Sequence, residues 1–174
     1  DDPATLTFLE EIEKAADGIR RQIVISRDFR EIGSRPSAWM PVQETIAGVL
    51  SRIDAGGITV YSWTERLEIF ADPHLPAAFT HLIENAAAAG ATALVITYQI
   101  REGECFICFE DNGPGIPDDA RKRLFSEGTE RSGQGLFLTR EILAITGITI
   151  HEEGREGIGA RFVMVVPPEG YRIT

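Results

Sequence analysis

The chain has 174 residues, 43% of them hydrophobic and 25% charged, enough for one globular core and too apolar for a disordered segment. A formal net charge of −10 argues against nucleic acid as the main partner, since phosphate-backbone binding needs a basic face, but leaves room for a local nucleotide site. No apolar run approaches the roughly 18 residues of a membrane helix, so no membrane contact is expected of these residues.

Residues 4 to about 33 read as one long helix. Leu9, Ile12, Ala16, Ile19 and Ile23 recur at three- and four-residue steps, and Gly33 supplies a stop. Its length suits a helix that packs on another helix. SRPSAWMP, with two prolines, reads as a linker and marks the domain boundary. A helix is expected over 42–53, then strands over 58–62 and 67–71, a break at Asp72-Pro73, and a helix over about 76–89. Strands over 93–101 and 104–110 turn at Glu102-Gly103. The loop DNGPGIP follows, then a short helix over about 118–124, the polar glycine-rich SEGTERSGQG, and a helix over 136–145. Strands over 148–153 and 160–166 end the pattern; PPEGYRIT carries no helix or strand signal. Strand pairs interspersed with helices exclude a regular βαβ alternation. They predict an α+β two-layer sandwich, one mixed sheet covered on one face by helices.

Cys105 and Cys108 spell C-x-x-C, but within an apolar strand positions three apart face opposite sides, and no second pair completes a zinc site. They read as two buried thiols in a reducing compartment. No P-loop, GxSxG or HExxH occurs, and His74, His81 and His151 are too scattered to suggest a metal cluster.

Four short features carry chemistry. In HLIENA (81–86), Leu82, Ile83 and Ala86 can face the core while His81 and Asn85 share another face; a carboxamide there can give one oxygen to Mg²⁺. In DNGPGIP (111–117), Asp111 is an acceptor matched to an exocyclic amine, Gly113 and Gly115 let the backbone close on a flat base, and Ile116 offers an apolar floor. GQGL (133–136) opens a helix whose free N–H groups can bind phosphate, with Arg131 the nearby cation. GIGARF (157–162) is a glycine turn entering the last strand. Each alone is an ordinary loop or solvated face; all four together, in this order and spacing, are hard to produce by chance.

Over about residues 41–167 this pattern resembles the catalytic ATP-binding domain of sensor histidine kinases, within the wider superfamily of gyrase, Hsp90 and MutL. HLIENA is similar to that family's N box, DNGPGIP to its G1 box, LFSEG (124–128) to its F box, GQGL to its G2 box and GIGARF to its G3 turn. The resemblance implies ATP and Mg²⁺ as cofactors, with Asn85 the metal ligand and Asp111 on the adenine amino group. Gly113, Gly115, Ile116 and Leu136 would shape the nucleotide pocket, Phe125 would anchor the lid, and Gly133, Gly135 and Arg131 would serve the phosphates. His81 stands where many family kinases carry Asn and gyrase-like ATPases a glutamate base, which makes it, with Asn85, a catalytic candidate.

Three positions depart from the family pattern: Ala88 replaces a frequent Lys or Arg, the lid is short and without Lys, and Ala160 replaces a frequent Thr. The resemblance also implies that 1–33 is the second helix of a dimerisation and phosphoacceptor hairpin, 34–40 a linker and 41–174 the catalytic domain. The opening DDPATL reads as the interior of a longer chain, and no His precedes His74, so the phosphoacceptor is expected outside this sequence. The implied function is transfer of the ATP γ-phosphoryl group to a histidine and thence to a response regulator receiver domain. It implies a homodimeric parent and a cytoplasmic site of action. Two alternatives stand beside it: an anti-sigma-factor-type serine kinase, and a non-catalytic nucleotide-gated module.

Overall fold

The computed structural model describes residues 8, 9, 12, 15, 16, 31–55, 57–126 and 133–174. The chain forms two compact units, Asp1–Glu31 and Ile32–Thr174. In the first, Phe8, Leu9, Ile12, Ala15, Ala16 and Glu31 are helical, and Phe8, Leu9 and Ile12 are exposed. The rest of the expected stripe, Ile19 and Ile23 included, lies outside the described residues.

The second unit runs β1 (Ala38–Pro41), α1 (Val42–Leu50), β2 (Thr59–Trp63), β3 (Leu67–Ala71), α2 (Leu75–Ala88), β4 (Ala93–Arg101), β5 (Glu104–Asp111), α3 (Asp118–Arg121), α4 (Gly133–Ala144), β6 (Thr149–Glu152), β7 (Arg161–Val166) and β8 (Tyr171–Ile173). The main sheet has five strands in the order β2-β4-β5-β7-β6. Its β2–β4 pair is parallel and the other pairs are antiparallel, so the sheet is mixed, as expected. The β4–β5 hairpin closes at Glu102 and Gly103, both at positive φ (52° and 86°), the geometry whose twist matches antiparallel strands.

Strand alternation gives the sheet an inner row. Leu94, Ile96, Ile107, Phe109, Phe162 and Met164 are buried there and share one hydrophobic cluster with Val42 and Ile46 of α1, Phe79, Leu82 and Ile83 of α2, and Leu136 and Leu143 of α4. Phe79 meets Phe109 at 5.4 Å between ring centroids, fixing α2 on the central strand. In register, Asp111 continues the row of Cys105, Ile107 and Phe109 opposite Leu94. A carboxylate thus occupies a core-facing position at the strand's end.

Three expectations need correction. SRPSAWMP is not linker throughout: Ala38–Pro41 forms β1, paired antiparallel with β3. The tail also forms a strand, β8, on the other side of β3, giving a second, three-stranded sheet β1-β3-β8. Both pairings join segments far apart in sequence. Trp39 packs on Phe70 at 5.5 Å, the Arg172 guanidinium lies 4.4 Å over the Trp39 ring, and Arg172 pairs with Glu68. The last long helix also starts at Gly133 rather than Leu136, so Gly133 to Leu136 form its first turn.

Asp72, fully buried, fixes the start of α2. Its Oδ1 accepts the His74 N–H at 2.8 Å and lies 2.7 Å from His74 Nδ1, while Oδ2 accepts the Gly33 N–H at 2.9 Å. Burial would raise this carboxyl's pKa, but the hydrogen bonds from His74 and Gly33 outweigh it and hold it below the usual carboxylate value. A depressed folded pKa gives stability that is present above the unfolded value near 3.8 and lost as pH falls through the folded one. Asp72→Asn is therefore expected to lose about 1.5–3 kcal/mol at neutral pH, and its stability should fall less than that of wild type as pH drops from about 4 to 2, measured by urea titrations at neutral pH and across that range.

Cys105 and Cys108 are buried and reduced, on opposite rows of β5. Burial, and next the neighbouring Cys108 thiol, push the Cys105 thiol up to about 12. Neither cysteine should react with a thiol reagent at pH 8 until the chain is unfolded; rapid labelling of the folded chain would contradict this placement.

Candidate functional site

The site begins where β5 hands over to DNGPGIP. Asp111 is 9% exposed. Its Oδ1 accepts two backbone N–H groups, from Gly113 at 2.8 Å and Ala160 at 3.1 Å, while its own N–H donates to the Ala160 carbonyl at 3.0 Å. Among the described residues Oδ2 accepts no hydrogen bond, so one oxygen builds the loop and the other takes no part in it. Asn112 secures the other side: its Oδ1 accepts the N–H groups of Thr92 and Ala93, and its Nδ2 donates to Thr92 Oγ1.

The loop closes on the turn between β6 and β7, backbone against backbone. Gly115 sits at φ +71°, and a Cβ there would lie 2.3 Å from the Arg155 carbonyl oxygen. A Cβ on Gly159 would lie 1.9 Å from the Asp111 carbonyl oxygen. The Gly157 N–H donates to the Pro114 carbonyl at 2.6 Å. Ile116 packs half-buried against the core. Phe125 meets Phe162 edge to face at 6.3 Å, anchoring the chain where residues 127–132 begin.

One side of α2 links this loop to α4. Ala89, just past the end of α2, faces the loop: a Cβ on Gly113 would touch the Ala89 Cβ at 3.8 Å. Asn85 lies one turn earlier and His81 one turn earlier still. The His81 ring packs on Gly135, where a Cβ would stand 3.2 Å from the ring. Thr139, fully buried, donates to the Gly135 carbonyl at 2.8 Å and lies 3.4 Å from His81 Nδ1. Asn85 has a buried Nδ2 with no hydrogen-bond partner. A half-turn of the carboxamide puts its oxygen at the same point, so the group can offer a metal one oxygen.

The structure thus brings His81, Asn85, Asp111, Gly113, Gly115, Ile116 and Gly135 to one side of α2 and the loop facing it. Leu136 is buried at the start of α4. Arg131 and the surroundings of Gly133 lie outside the described residues. Sequence reasoning missed Asn112, Thr139, Arg121 and Glu152. Glu152 left a signal: in TIHE it is in phase with Ile150, so an acid falls on a core row and needs a cation. Arg121 supplies it.

The glycines give a direct test. Gly157 has φ +81° but open space around its would-be Cβ, so Gly157→Ala should cost only about 1 kcal/mol of backbone strain. Gly115→Ala adds a backbone clash and should cost about 2–4 kcal/mol, read as the difference between two denaturant midpoints.

Comparison with known proteins agrees with this geometry. The chain is 34% identical over 109 residues to the swarming motility regulation sensor protein RssA of Serratia marcescens, covering 56% of this chain and 23% of that protein. It is 36% identical over 95 residues to the alginate biosynthesis sensor protein KinB of Pseudomonas aeruginosa, covering 50% of this chain and 16% of KinB. The chain therefore spans less than a quarter of either relative. The crystal structure of histidine kinase ThkA in complex with response regulator protein TrrA superposes on 97% of the chain and 54% of its own with a TM-score of 0.72 at 24% identity, a likeness of fold. Residues 72–170, more than half the chain, match the family described as histidine kinase-, DNA gyrase B-, and HSP90-like ATPase, and the chain belongs to that family.

Proposed function

We propose that this chain is the ATP-binding kinase core of a two-component sensor histidine kinase. The observation that carries the reading is the row Ala89, Asn85, His81 along α2. It runs about 12 Å, from the Asp111 loop at one end to Gly135 and the first turn of α4 at the other. Adenine fits the loop end. Its exocyclic amine would donate to the ligand-facing oxygen of Asp111, and Ile116 would lie under the ring. The phosphates fit the α4 end, where the first-turn N–H groups of Gly133 to Leu136 lack intrahelical partners and the helix dipole favours negative charge.

Asn85 lies between the two and would hold Mg²⁺ through its side-chain oxygen. No group of three or more His, Cys, Asp or Glu able to hold a metal exists among the described residues, so the remaining ligands would be phosphate oxygens and water. Bound there, the ion would neutralise charge on the phosphate oxygens. The chain's own residues orient and enclose. Thr139 and Gly135 hold the His81 ring beside the phosphate end, Phe125 packs on Phe162, and Arg131, outside the described residues, would serve the phosphates. The γ-phosphoryl group would pass to a histidine carried elsewhere in the parent protein, by positioning and charge neutralisation rather than covalent chemistry on this chain. A response regulator would receive it next, the kind of partner found with ThkA. Residues 1–33 would then serve the parent's dimerisation hairpin.

Calorimetric titration of ADP and a non-hydrolysable ATP analogue, with and without Mg²⁺, tests the reading. Asp111→Asn keeps the oxygen that builds the loop but turns a donor toward the adenine amine, so it should weaken ADP binding at least about 30-fold. Asn85→Ala should bind ADP with little change in metal-free buffer and lose the gain that Mg²⁺ gives wild type. Absence of binding by wild type at millimolar nucleotide would overturn the assignment.

A further inference from the structure

Arg121 and Glu152 belong to none of the roles assigned so far, yet they touch both walls of the base pocket. The Glu152 side chain is fully buried on the inner row of β6. Its Oε1 accepts the Gly154 N–H at 2.8 Å and the Arg161 N–H at 3.2 Å, and its Oε2 accepts from Arg121 Nε. Arg121, on α3, spends its other nitrogens across the gap between walls. Nη2 donates to the Ile116 carbonyl at 3.3 Å and the Gly154 carbonyl at 2.7 Å, and Nη1 donates to Asp118 at 2.9 Å. One planar fork therefore joins DNGPGIP, through Ile116, to the β6–β7 turn, through Gly154. These are the same two walls that meet at Gly115 against Arg155 and at Pro114 against Gly157.

We propose that Arg121 and Glu152 form a positioning pair that sets the separation of these walls, and with it the fit of the adenine edge to Asp111. The inference rests on the adenine reading above. A buried carboxylate tolerates no vacancy opposite it, so Glu152 commits Arg121, and with it α3, to close over the turn. The geometry requires arginine. A lysine ammonium could neutralise Glu152 but could not reach Ile116 and Gly154 from one rigid plane. The pair contacts no nucleotide. It acts through Ile116, the floor of the pocket, and through the turn whose Ala160 N–H holds Asp111 Oδ1.

The test separates pocket shape from general stability. ADP and IDP, which carries a carbonyl in place of the adenine amine, are titrated into the full chain. Variants are wild type, Arg121→Lys, Glu152→Gln and the double apolar variant Arg121→Met with Glu152→Leu, each checked for folding by circular dichroism and thermal melting. Loss of stability alone would leave the ADP-to-IDP ratio of a folded variant at the wild-type value. The positioning role predicts that folded Arg121→Lys and the double variant bind ADP about tenfold more weakly and IDP nearly as wild type does, so the preference collapses. Glu152→Gln keeps the Oε1 acceptor but loosens its hold on Arg121, and should fall between; it provides the same readout if the others do not fold. An unchanged ratio in any folded variant overturns the positioning role while leaving the adenine site intact. A wild-type chain that binds both nucleotides equally removes the adenine reading itself, and this inference with it.

Discussion

The site depends on one carboxylate oxygen. Asp111 Oδ1, in the core-facing row of the central strand, accepts the N–H groups of Gly113 and Ala160. A nearly buried carboxylate is costly unless hydrogen-bonded, and two backbone donors are what make this position tolerable. Those same bonds turn the chain out of β5 into the loop and lock the loop to β7. The acid is therefore first of all what shapes the loop. Its second oxygen inherits a fixed direction because the first is already held.

The neighbouring contacts extend that constraint. Where the loop meets the β6–β7 turn, carbonyl oxygens crowd the places side-chain carbons would take, so Gly115 and Gly159 are required by space as well as by their positive φ. On the other side, the absence of a side chain on Gly135 lets the His81 ring rest on the first turn of α4. Thr139 then bonds back to Gly135 and reaches His81, which orders the ring. Asn85 lies between these two ends with a buried amide nitrogen left unpartnered.

Charge placement distinguishes this chain from a generic member of its family. Ala88 stands at the end of α2 without a charge, and Lys122 is the only lysine in the second unit, so its cations are otherwise arginines. Arginine also does the structural work nearby. Arg121 closes the base of the pocket against Glu152, and Arg172 binds the tail strand through Glu68 and the Trp39 ring. In both places a planar fork joins groups that a point charge could not reach together.

Much of this was legible in the sequence, for local reasons. Strands β3 and β4 fall where their alternation placed them. Glu102-Gly103 adopts the positive φ expected of a tight hairpin, and in DNGPGIP the two prolines fix φ locally while Gly115 takes the positive φ the loop needs. The order of the four boxes carried the family, since each encodes a local shape at a strand or helix end. The tertiary structure alone decided what depends on residues remote in sequence. β1 and β8 are strands only because β3 lies between them, and neither segment announces that partner. Asp111 was legible as an acceptor, but not that Ala160, 49 residues later, would claim one of its oxygens. Glu152 could be seen as an acid out of place; only the fold could show that Arg121 answers it, because a buried charge is resolved by whatever cation the chain's topology brings within reach.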